Sequence, residues 1–351
     1  MAMYDVNKLK MYTAAIMRSV GLNEEDSELF ADSLLEADMR DISSHGLTRL
    51  KTYAQRLEEG LVENKTELTI LNESPSMLLI DANNSLGVSA AYQTMRMCVE
   101  RAKESGACFA AIRGGNHFGI ASYFADYAAR NDMLGVAMAN GPAAMAPIGG
   151  KKALFGTNPL AVSLPTGKYR TLSLDMATSV VARGKITLAK KEHRSIPEGW
   201  GIDSEGLATT DPAKVAFVLP FGGVKGYGIG LIIEILCSCL SGACNGQTMG
   251  SFYDFSGKIQ NAGFFVGALN IGKILPITDF MDRVDELITS VKESPRTQDC
   301  AEIFIPGEIE QNNMEAARRD GIKISGEVLS ELKEIGEKYG VPFCCEFCVS
   351  Q

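Results

Sequence analysis

Amphipathic helices are the first pattern along the chain. Over the first 60 residues, apolar side chains recur every three or four positions, which is typical of helices with one buried face. The pattern predicts three helices. One spans 5–20, the second follows an N-cap at Asn23, and the third spans 44–59. No strand pattern precedes residue 67.

The helical period returns at the other end of the chain. It begins near residue 312, and Ser325 precedes the final stretch as a predicted N-cap. A helix with one apolar face needs a partner that covers that face, so we expect the two chain ends to pack together. The predicted helical domain consists of residues 1–72 and 305–351.

Between these ends, the pattern alternates buried strands with amphipathic helices, and it predicts a second domain of the α/β type at 73–304. Within it, residues 159–177 place two strands around a Pro-Thr-Gly turn. This predicts an antiparallel hairpin, which a purely parallel, doubly wound sheet would not contain. We expect an α/β (α+β) fold whose sheet is mixed and largely antiparallel, and not a Rossmann fold. The predicted strands are MLLIDA, CFAAIR, LGVAMAN, PLAVSLP, RTLSLDMA and NAGFFVGALN.

Composition and charge narrow the choice of partners. A chain of 351 residues, 46% hydrophobic and 22% charged, resembles an average soluble protein with two cores. The net charge is −9 and the basic residues are scattered, so we expect neither nucleic acid nor an anionic membrane as a partner. The longest apolar window, 229–244, is interrupted by Glu234 and is too short to span a bilayer. With no secretory signal visible at the start, we expect a cytoplasmic protein.

Cysteine spacing favours reduced thiols. The nine cysteines are an odd number and lack the paired spacing of a disulfide framework. Cys345 and Cys348 form a single CxxC, which could be a redox pair or half of a zinc site. Neither a second CxxC nor a nearby histidine completes such a site, which favours buried or tail thiols.

The first candidate for chemistry is a helical stripe that starts after Ser44. If Ser44 caps that helix, side chains four positions apart lie on one face, and these are His45, Arg49 and Tyr53. A helix N-terminus disfavours a protonated histidine and attracts anions, and an arginine can hold both oxygens of a carboxylate. The stripe predicts a proton-exchanging imidazole beside a carboxylate clamp, although a solvated helix face would show the same spacing.

A second histidine, His117, lies in the glycine-rich stretch GGNHFG between a predicted strand and a predicted helix. Ligand sites favour such loops, although a turn histidine that bonds locally would fit the same pattern. The third histidine, His193, lies in a charged run and is predicted to be on the surface.

Three further loops could receive an anion such as a phosphate. A long irregular loop at 141–159 separates two strands, and loops of that length are often functional. The segment 175–179 follows a strand and precedes a helix, and 220–230 brings five glycines and Lys225 to the start of another helix. An ordinary N-cap would also explain the residues at 175–179, and close helix packing would also explain the glycines at 220–230. Neither GxGxxG nor GxxxxGK[ST] occurs, so a standard Rossmann or P-loop site is not predicted.

Together these segments resemble the malate/L-lactate dehydrogenase family, which is unrelated to the Rossmann-type lactate and malate dehydrogenases. The resemblance implies hydride transfer between NAD or NADP and a 2-hydroxy or 2-keto acid, by a homodimer with a non-Rossmann cofactor domain. We expect malate and oxaloacetate as the substrate pair, and lactate, sulfolactate and ureidoglycolate are alternatives within the family. The motifs, in family order, are SHGLTR, GGNHFG, FGTNPLAVSLP, LDMATS, IPEGWGID with GLATTDP, PFGGVKGYGIGL and IPGE.

The family pattern also implies roles for individual residues. His45 would be the proton donor and acceptor, and His117 would line the same pocket as a second catalytic candidate. No metal ion is expected, and the choice between NAD and NADP stays open. The implied substrate contacts are Ser44, Arg49, Tyr53 and Asn140. The implied cofactor contacts are Thr157, Asn158, Pro159, Asp175, Met176, Ala177, Lys225, Gly226, Pro306, Gly307 and Glu308.

Two functions of other classes fit part of the pattern. A metal-dependent hydrolase or lyase could use His45 and His117 with acidic residues around a divalent ion. In a non-catalytic binding protein, the glycine-rich loops would serve packing alone. Loss of activity with a chelator would indicate the metal-dependent enzyme. A melting temperature that neither NADH nor NADPH raises would indicate the non-catalytic binding protein.

Overall fold

Both chain ends are helical in the computed structural model, which describes residues 3–191 and 193–346. The side chain of Asn23 accepts the Asp26 N–H and that of Ser325 accepts the Val328 N–H, which confirms both predicted N-caps. Cys348 of the predicted CxxC lies outside the described residues. The helices are α1 Val6–Ser19, α2 Glu24–Met39, α3 Leu50–Glu58, α4 Gly87–Ser105, α5 Ser122–Ala129, α6 Arg183–Lys191, α7 Val224–Glu234, α8 Ile277–Lys292, α9 Glu308–Asp320 and α10 Gly326–Tyr339.

The described residues form one main sheet of seven strands, which occupies the middle of the chain. The strands are β1 Met3–Tyr4, β2 Thr69–Ser74, β3 Met77–Asp81, β4 Ala107–Gly115, β5 Met133–Ala139, β6 Leu160–Leu164, β7 Leu172–Met176, β8 Gly201–Ile202, β9 Phe217–Val218, β10 Ala262–Asn270 and β11 Ile322–Lys323. The order in the main sheet is β2-β3-β4-β10-β5-β6-β7, and among these strands only β3 and β4 pair in parallel. The predicted hairpin is β6 and β7, so the mixed, largely antiparallel sheet is confirmed.

Two apolar cores hold these layers together. Helices α4 and α5 cover the sheet and bury a core that includes Phe124 and Phe264. The second core lies among the end helices, where Leu9 of α1 and Leu332 of α10 belong to the same buried cluster. The two chain ends therefore contact each other as expected, and Phe252 joins them from the middle of the chain. The division into two domains, with boundaries at 72 and 305, stays a prediction.

The prediction of a single helix at 44–59 is wrong for its first turns. Ser43–His45 and Leu47–Arg49 form two short 3-10 turns, and the α-helix α3 follows them. Gly46 between the turns has φ −93° and ψ −146°, a non-helical conformation that interrupts the helical hydrogen bonds. Ser44 consequently caps no helix, and its hydroxyl contacts the ring of the next residue instead.

Helix α7 and the π-helical turn that follows it, Ile235–Cys239, expose many apolar side chains. Ile232 is 57% exposed and Val224 is 67% exposed, so this element lacks a full apolar covering in the single chain. Within the described part of the chain, no helix combines the length and the apolar character needed to cross a membrane. We call the exposed set the α7 apolar surface: Val224, Ile229, Leu231, Ile232, Ile235 and Leu240.

Candidate active site

His45 lies half-buried at the end of the first 3-10 turn. Its Nδ1 contacts the Ser44 hydroxyl at 2.9 Å, and the Ser44 carbonyl accepts a 2.6 Å hydrogen bond from Arg49 Nε. Arg49 thus folds back onto the residue before His45. The predicted imidazole and guanidinium therefore lie together even though no α-helix joins them.

The loop after β4 brings His117 against His45. The two rings stack with their centroids 5.5 Å apart and their planes inclined by 17°. The Tyr53 hydroxyl hydrogen-bonds to His117 Nδ1, and Gln260 Oε1 accepts the His117 backbone N–H at 3.0 Å. We call the assembled set the histidine cluster: Ser44, His45, Arg49, Tyr53 and His117.

Two aromatic residues that the sequence analysis did not single out lie against the histidine cluster. The Phe252 ring centroid is 5.0 Å from that of His117 and 4.8 Å from that of Tyr53. The Tyr253 ring centroid is 5.2 Å from the guanidinium carbon of Arg49. No local signal in the sequence could connect this pair with the histidines, because a long stretch of chain separates them.

Arg56 holds this aromatic segment in place. Its side chain is fully buried, and its Nη1 donates to the backbone carbonyls of Phe252 at 3.3 Å and Asp254 at 3.1 Å. Arg56 follows Tyr53 by three positions on α3, so one helix contacts both His117 and the segment that packs on it.

Burial sets the protonation states in the histidine cluster. Burial and, to a smaller extent, the Arg49 charge lower the pKa of His45 to about 4. The pKa of His117 is also lowered, first by burial and then by His45 and Arg49, while burial raises the pKa of Tyr53. Both imidazoles are therefore neutral at pH 7, and the phenol keeps its proton. A helix N-terminus was the expected cause of a neutral His45, but the physical cause in the structure is burial.

The Tyr53 hydroxyl indicates which nitrogen of His117 carries the proton. We assign the phenol proton to the shorter of its two contacts, which is Nδ1 and not the His117 carbonyl at 3.3 Å. The proton of the neutral His117 ring then lies on Nε2, which is a hydrogen-bond donor. At His45, the Ser44 hydroxyl can donate to Nδ1 or accept from it. His45 can therefore present either a proton or a lone pair at Nε2.

The polar atoms of Asn140 and Asn158 are engaged inside the protein. Asn140 Nδ2 donates to Glu234 Oε1 at 3.1 Å, and Asn158 Nδ2 donates to Glu234 Oε2 at 2.7 Å. Their side-chain oxygens accept the backbone N–H groups of Gly263 and Gly141 at 2.9 and 3.1 Å, respectively. We interpret both amides as loop anchors, and the ligand contacts proposed for them from the sequence stay predictions.

Glu234 is the centre of these bonds. Its buried carboxylate also accepts the Gly246 N–H at 2.9 Å, so it connects α7 to both ends of the loop between β5 and β6 and to the loop that contains Gly246. In the sequence, Glu234 stands out only as an interruption of an apolar window. A lone carboxylate in an apolar helix nevertheless indicates an anchoring role, because a buried charge requires hydrogen-bond partners.

Three of the predicted cofactor segments meet around Thr178. The Thr157 carbonyl accepts the Thr178 N–H at 2.8 Å and the Thr178 hydroxyl at 2.9 Å. The Thr178 carbonyl accepts the Phe221 N–H at 3.1 Å, and the Phe221 carbonyl accepts the Gly226 N–H at 2.9 Å. A Cβ added at Gly226 would lie 2.5 Å from the Phe221 carbonyl oxygen, so this close approach requires glycine. The segments brought together are 157–159, 175–177 and 225–226.

Asp175 directs its carboxylate to the start of α5. Its Oδ2 accepts the Ser122 N–H at 2.8 Å, and burial raises the pKa of the Asp175 carboxyl. Because α6 begins only at Arg183, Asp175 does not cap the following helix. Met176 and Ala177 follow it as half-buried residues.

The fourth predicted cofactor segment lies along β7. The Ser173 N–H donates to the Pro306 carbonyl at 3.1 Å. Gly307 has φ +86°, and a Cβ added there would lie 2.8 Å from the Ser173 carbonyl oxygen. The Glu308 carboxylate is engaged by Lys292 Nζ at 2.6 Å. The segment 306–308 therefore contacts Ser173, two residues before Asp175 on β7. The Glu308 carboxylate is already paired with Lys292.

The chain as a whole is similar to known proteins. A profile of the family described as malate/L-lactate dehydrogenase matches residues 4–333. The chain belongs to this family, which confirms the resemblance noted in the sequence. Membership supports a 2-hydroxy-acid dehydrogenase that uses a nicotinamide cofactor.

Individual relatives are similar over almost the whole chain. L-sulfolactate dehydrogenase from Methanocaldococcus jannaschii is 38% identical over 328 residues, which cover 93% of this chain and 94% of that protein. Malate dehydrogenase from Pyrococcus abyssi is 36% identical over 345 residues, which cover 95% of this chain and 94% of that protein. A solved structure of sulfolactate dehydrogenase from M. jannaschii has a TM-score of 0.91 and 37% identity, and the match covers 97% of this chain and 98% of the other.

Proposed function

We propose that this protein transfers a hydride between a 2-hydroxy acid and NAD or NADP, with malate and oxaloacetate as the substrate pair. The observation that carries the proposal is the stacking of two neutral imidazoles, His45 and His117, beside the Arg49 guanidinium. A 2-hydroxy acid presents a hydroxyl group next to a carboxylate. One proton-exchanging group and one carboxylate-binding group complement it.

Arg49 supplies the carboxylate-binding group. Its Nε is bonded to the Ser44 carbonyl, while its two Nη groups form no hydrogen bond to another described residue. Two parallel N–H groups of a guanidinium match the two oxygens of a carboxylate. The neighbouring ring of Tyr253 contacts the Arg49 guanidinium by a cation–π interaction and helps to hold it in place.

His45 exchanges the proton. In the oxidation direction, the substrate hydroxyl proton passes to His45 Nε2 as the hydride leaves the same carbon, and in the reduction direction His45 returns that proton. Bound NAD or NADP supplies the hydride acceptor or donor. His117 donates a hydrogen bond from Nε2 to the same substrate oxygen and stabilises the negative charge that develops there.

Substrate binding favours proton uptake by His45. In the free protein, the Arg49 charge is one of the two causes that lower the pKa of His45. A carboxylate bound to Arg49 neutralises that charge and removes this cause. His45 therefore accepts a proton more readily in the complex than in the free protein, which suits a base that acts only when the substrate is present.

The loop before α7 fits the diphosphate of a nicotinamide cofactor. Lys225 is exposed in the first turn of α7, where the helix dipole is positive. Gly222 and Gly223 precede it with φ +53° and +62°, so the turn carries no side chain that would block a ligand. Backbone N–H groups and one ammonium would hold the diphosphate there, close to the segments that meet at Thr178.

The protein is also proposed to form a homodimer. The α7 apolar surface is exposed in the single chain, and an apolar surface of this kind usually marks a contact with another protein. A second copy would cover it without introducing a different partner. The membership of the dehydrogenase family supports the same expectation.

Sulfolactate is the second substrate candidate, supported by the relative that bears that name. The metal-dependent hydrolase or lyase has weaker support. Among the described residues, no group of three or more His, Cys, Asp or Glu side chains is arranged to hold a metal ion. His45 and His117 would have to act without a third protein ligand of these types.

The test is to mix the protein with NADH or NADPH and, in turn, oxaloacetate, pyruvate, glyoxylate and sulfopyruvate, and to follow the absorbance of the reduced cofactor. We expect the fastest oxidation with oxaloacetate. A faster reaction with sulfopyruvate would replace malate by sulfolactate. Activity that disappears after treatment with a chelator, or no cofactor oxidation with any acid, would contradict the proposed mechanism.

A further inference from the structure

Asp38, near the end of α2, contacts the loop that carries the histidine cluster. Its Oδ2 accepts the backbone N–H of Leu47 at 2.7 Å. Leu47 opens the second 3-10 turn, which ends at Arg49, and the first turn ends at His45. The hydrogen bond therefore holds the chain between the proton-exchanging residue and the carboxylate-binding residue.

Gly46 packs directly on the same carboxylate. A Cβ added to Gly46 would lie 2.1 Å from Asp38 Oδ1 and 2.3 Å from Oδ2. The φ of Gly46 is −93°, which every residue type can adopt. The contact with Asp38 therefore requires glycine at this position, whereas φ alone does not.

The loop needs such an anchor because its own hydrogen bonds are few. A 3-10 turn has poorer hydrogen-bond geometry than an α-helix, and the non-helical Gly46 separates the two turns. The backbone bonds within this loop are one from the His45 N–H to Ile42 and one from the Arg49 N–H to Gly46, both 2.9 Å, together with a longer one from the Gly46 N–H to Ser43 at 3.3 Å. The Leu47 carbonyl accepts the N–H of Leu50, whereas the Leu47 N–H is held by Asp38.

We propose that Asp38 is a positioning residue of this site, which sets the distance between His45 and Arg49 by holding Gly46 and Leu47. It does not touch the substrate, and it acts through the two residues that do. The inference rests on the proposed function, since it assigns Asp38 to the alignment of that same acid–base and carboxylate-binding pair.

Hydrogen-bond acceptance, and not charge, is the property that matters at Asp38. Burial raises the pKa of the Asp38 carboxyl to about 7, with the Leu47 N–H opposing the shift and Asp41 adding to it. Both forms are therefore present near neutral pH, and each keeps an oxygen that can accept the Leu47 N–H. An asparagine keeps such an oxygen as well, so it should replace Asp38 with little loss.

The first experiment compares Asp38→Ala with Asp38→Asn. We expect Asp38→Ala to lower kcat/KM for the 2-keto acid about 10- to 100-fold, as a misplacement of reacting groups by about 1 Å can do. Asp38→Asn should stay within about threefold of the wild type, because the acceptor is retained. The NADH dissociation constant should not change in either variant. Equal impairment of the two variants, or a wild-type kcat/KM for Asp38→Ala, overturns the proposal.

Asp26→Ala is the matched control. Asp26 lies on the same helix α2, is buried, and accepts one distant backbone N–H, that of Thr66, at 3.2 Å. Its loss should lower the melting temperature but leave kcat/KM unchanged. If Asp26→Ala reduced kcat/KM as much as Asp38→Ala, the effect of Asp38 would be general destabilisation.

Gly46→Ala tests the same contact from the other side, and it remains informative if Asp38→Ala does not fold. Alone, it should lower kcat/KM because the new methyl group displaces the carboxylate and the loop. Added to Asp38→Ala, it should cause little further loss, because the carboxylate that it would strike is gone. A wild-type kcat/KM for Gly46→Ala, or full additivity in the double variant, counts against the proposal.

Hydrogen exchange of the segment 43–49 tests the anchor without any substrate. Asp38→Ala should speed exchange of the Leu47 amide, while Asp26→Ala and Asp38→Asn should not. If the wild-type protein turned over none of the acids, the proposed function would fail, and this exchange measurement would still decide whether Asp38 holds the loop. Unchanged exchange in Asp38→Ala contradicts the positioning role.

Discussion

At the scale of residues, burial is the factor that gives the site its chemistry. An imidazole loses the hydration of its charged form when it is buried, so it stays neutral at a pH where a surface histidine begins to protonate. His45 and His117 share this environment, but their partners differ. With the Tyr53 proton assigned to Nδ1, the proton of the His117 ring lies on Nε2, whereas the Ser44 hydroxyl allows His45 either state. The same ring type is therefore suited to two different tasks.

Replacement of His45 by alanine removes the proposed proton exchanger. We expect the single-turnover rate of hydride transfer to fall about 10²- to 10⁴-fold, which is the usual contribution of a general acid or base. His193→Ala is the control, because His193 is exposed and lies outside the histidine cluster. A single-turnover rate for His45→Ala that equals that of His193→Ala would remove His45 from this role.

Arg49→Lys keeps the positive charge but loses the planar pair of N–H groups. We expect KM for the 2-keto acid to rise about 10- to 100-fold, since a hydrogen bond to a charged group contributes about 1.5–3 kcal/mol. Steady-state kinetics measure this value. Arg319→Lys, at an exposed arginine that pairs with Asp320, should leave KM unchanged. A normal KM in Arg49→Lys would show that the two parallel N–H groups are not needed.

The lowered pKa of His45 also predicts the pH dependence of the oxidation. The base must be neutral, and a pKa of about 4 keeps it neutral throughout the weakly acidic range. We expect kcat/KM for oxidation of the 2-hydroxy acid to stay flat between about pH 8 and pH 5.5, because this parameter reports the free enzyme. A histidine with an ordinary pKa of about 6.5 would instead make it fall tenfold per pH unit below that value, and such a fall would contradict the buried assignment.

At the scale of elements, one helix joins loops that would otherwise be independent. Helix α7 carries Lys225 in its first turn and Glu234 at its end, and the Glu234 carboxylate binds Asn140, Asn158 and the Gly246 N–H. The loop before the helix and the loops around its end are thus tied to one rigid element. This arrangement explains how several irregular segments can keep a defined geometry without strands of their own.

Glu234→Gln should weaken that connection. All three partners of the carboxylate are N–H donors, and the new amide group would turn a donor towards one of them. We expect the free energy of unfolding to fall by about 1–3 kcal/mol, the cost of an unsatisfied buried polar group. Chemical denaturation measures it, with Glu337→Gln on the exposed face of α10 as the control. Equal stability of the two variants would mean that Glu234 does not anchor the loops.

At the scale of the whole molecule, the sheet and the end helices form a shared framework. Strand β10 enters the sheet between β4 and β5, and the segment that leads into it brings Phe252 and Gln260 to His117. Phe252 also belongs to the core of the end helices. The histidine cluster therefore lies where the two layers meet, and motions of one layer relative to the other would alter it.

The proposed homodimer makes a prediction at this scale. Ile232→Glu places a charge in the middle of the α7 apolar surface, where Ile232 is 57% exposed. We expect the wild type to sediment as a dimer of twice the 37.8 kDa chain and the variant to shift towards the monomer. Leu287→Glu, at a 66% exposed leucine of α8, should leave the dimer intact. A wild-type monomer, or an Ile232→Glu dimer, would contradict an interface at α7.

Local hydrogen bonding explains why so much of the secondary structure was predictable. The caps at Asn23 and Ser325 and the hairpin of β6 and β7 depend on contacts between residues a few positions apart, and such contacts leave a periodic pattern in the sequence. The motifs around His45 and His117 were also sufficient to indicate the family. The order of residues by itself therefore determined most of the elements, the mixed sheet and the class of enzyme.

Tertiary structure alone decided how the site is built. The Asp38 carboxylate packs against Gly46 between the two 3-10 turns, and burial in the folded chain keeps His45 neutral. The partners of Asn140 and Asn158 likewise come from Glu234, many residues later. Such contacts form only after distant segments have packed, and a periodic pattern of apolar residues carries no record of which distant side chain will be the neighbour.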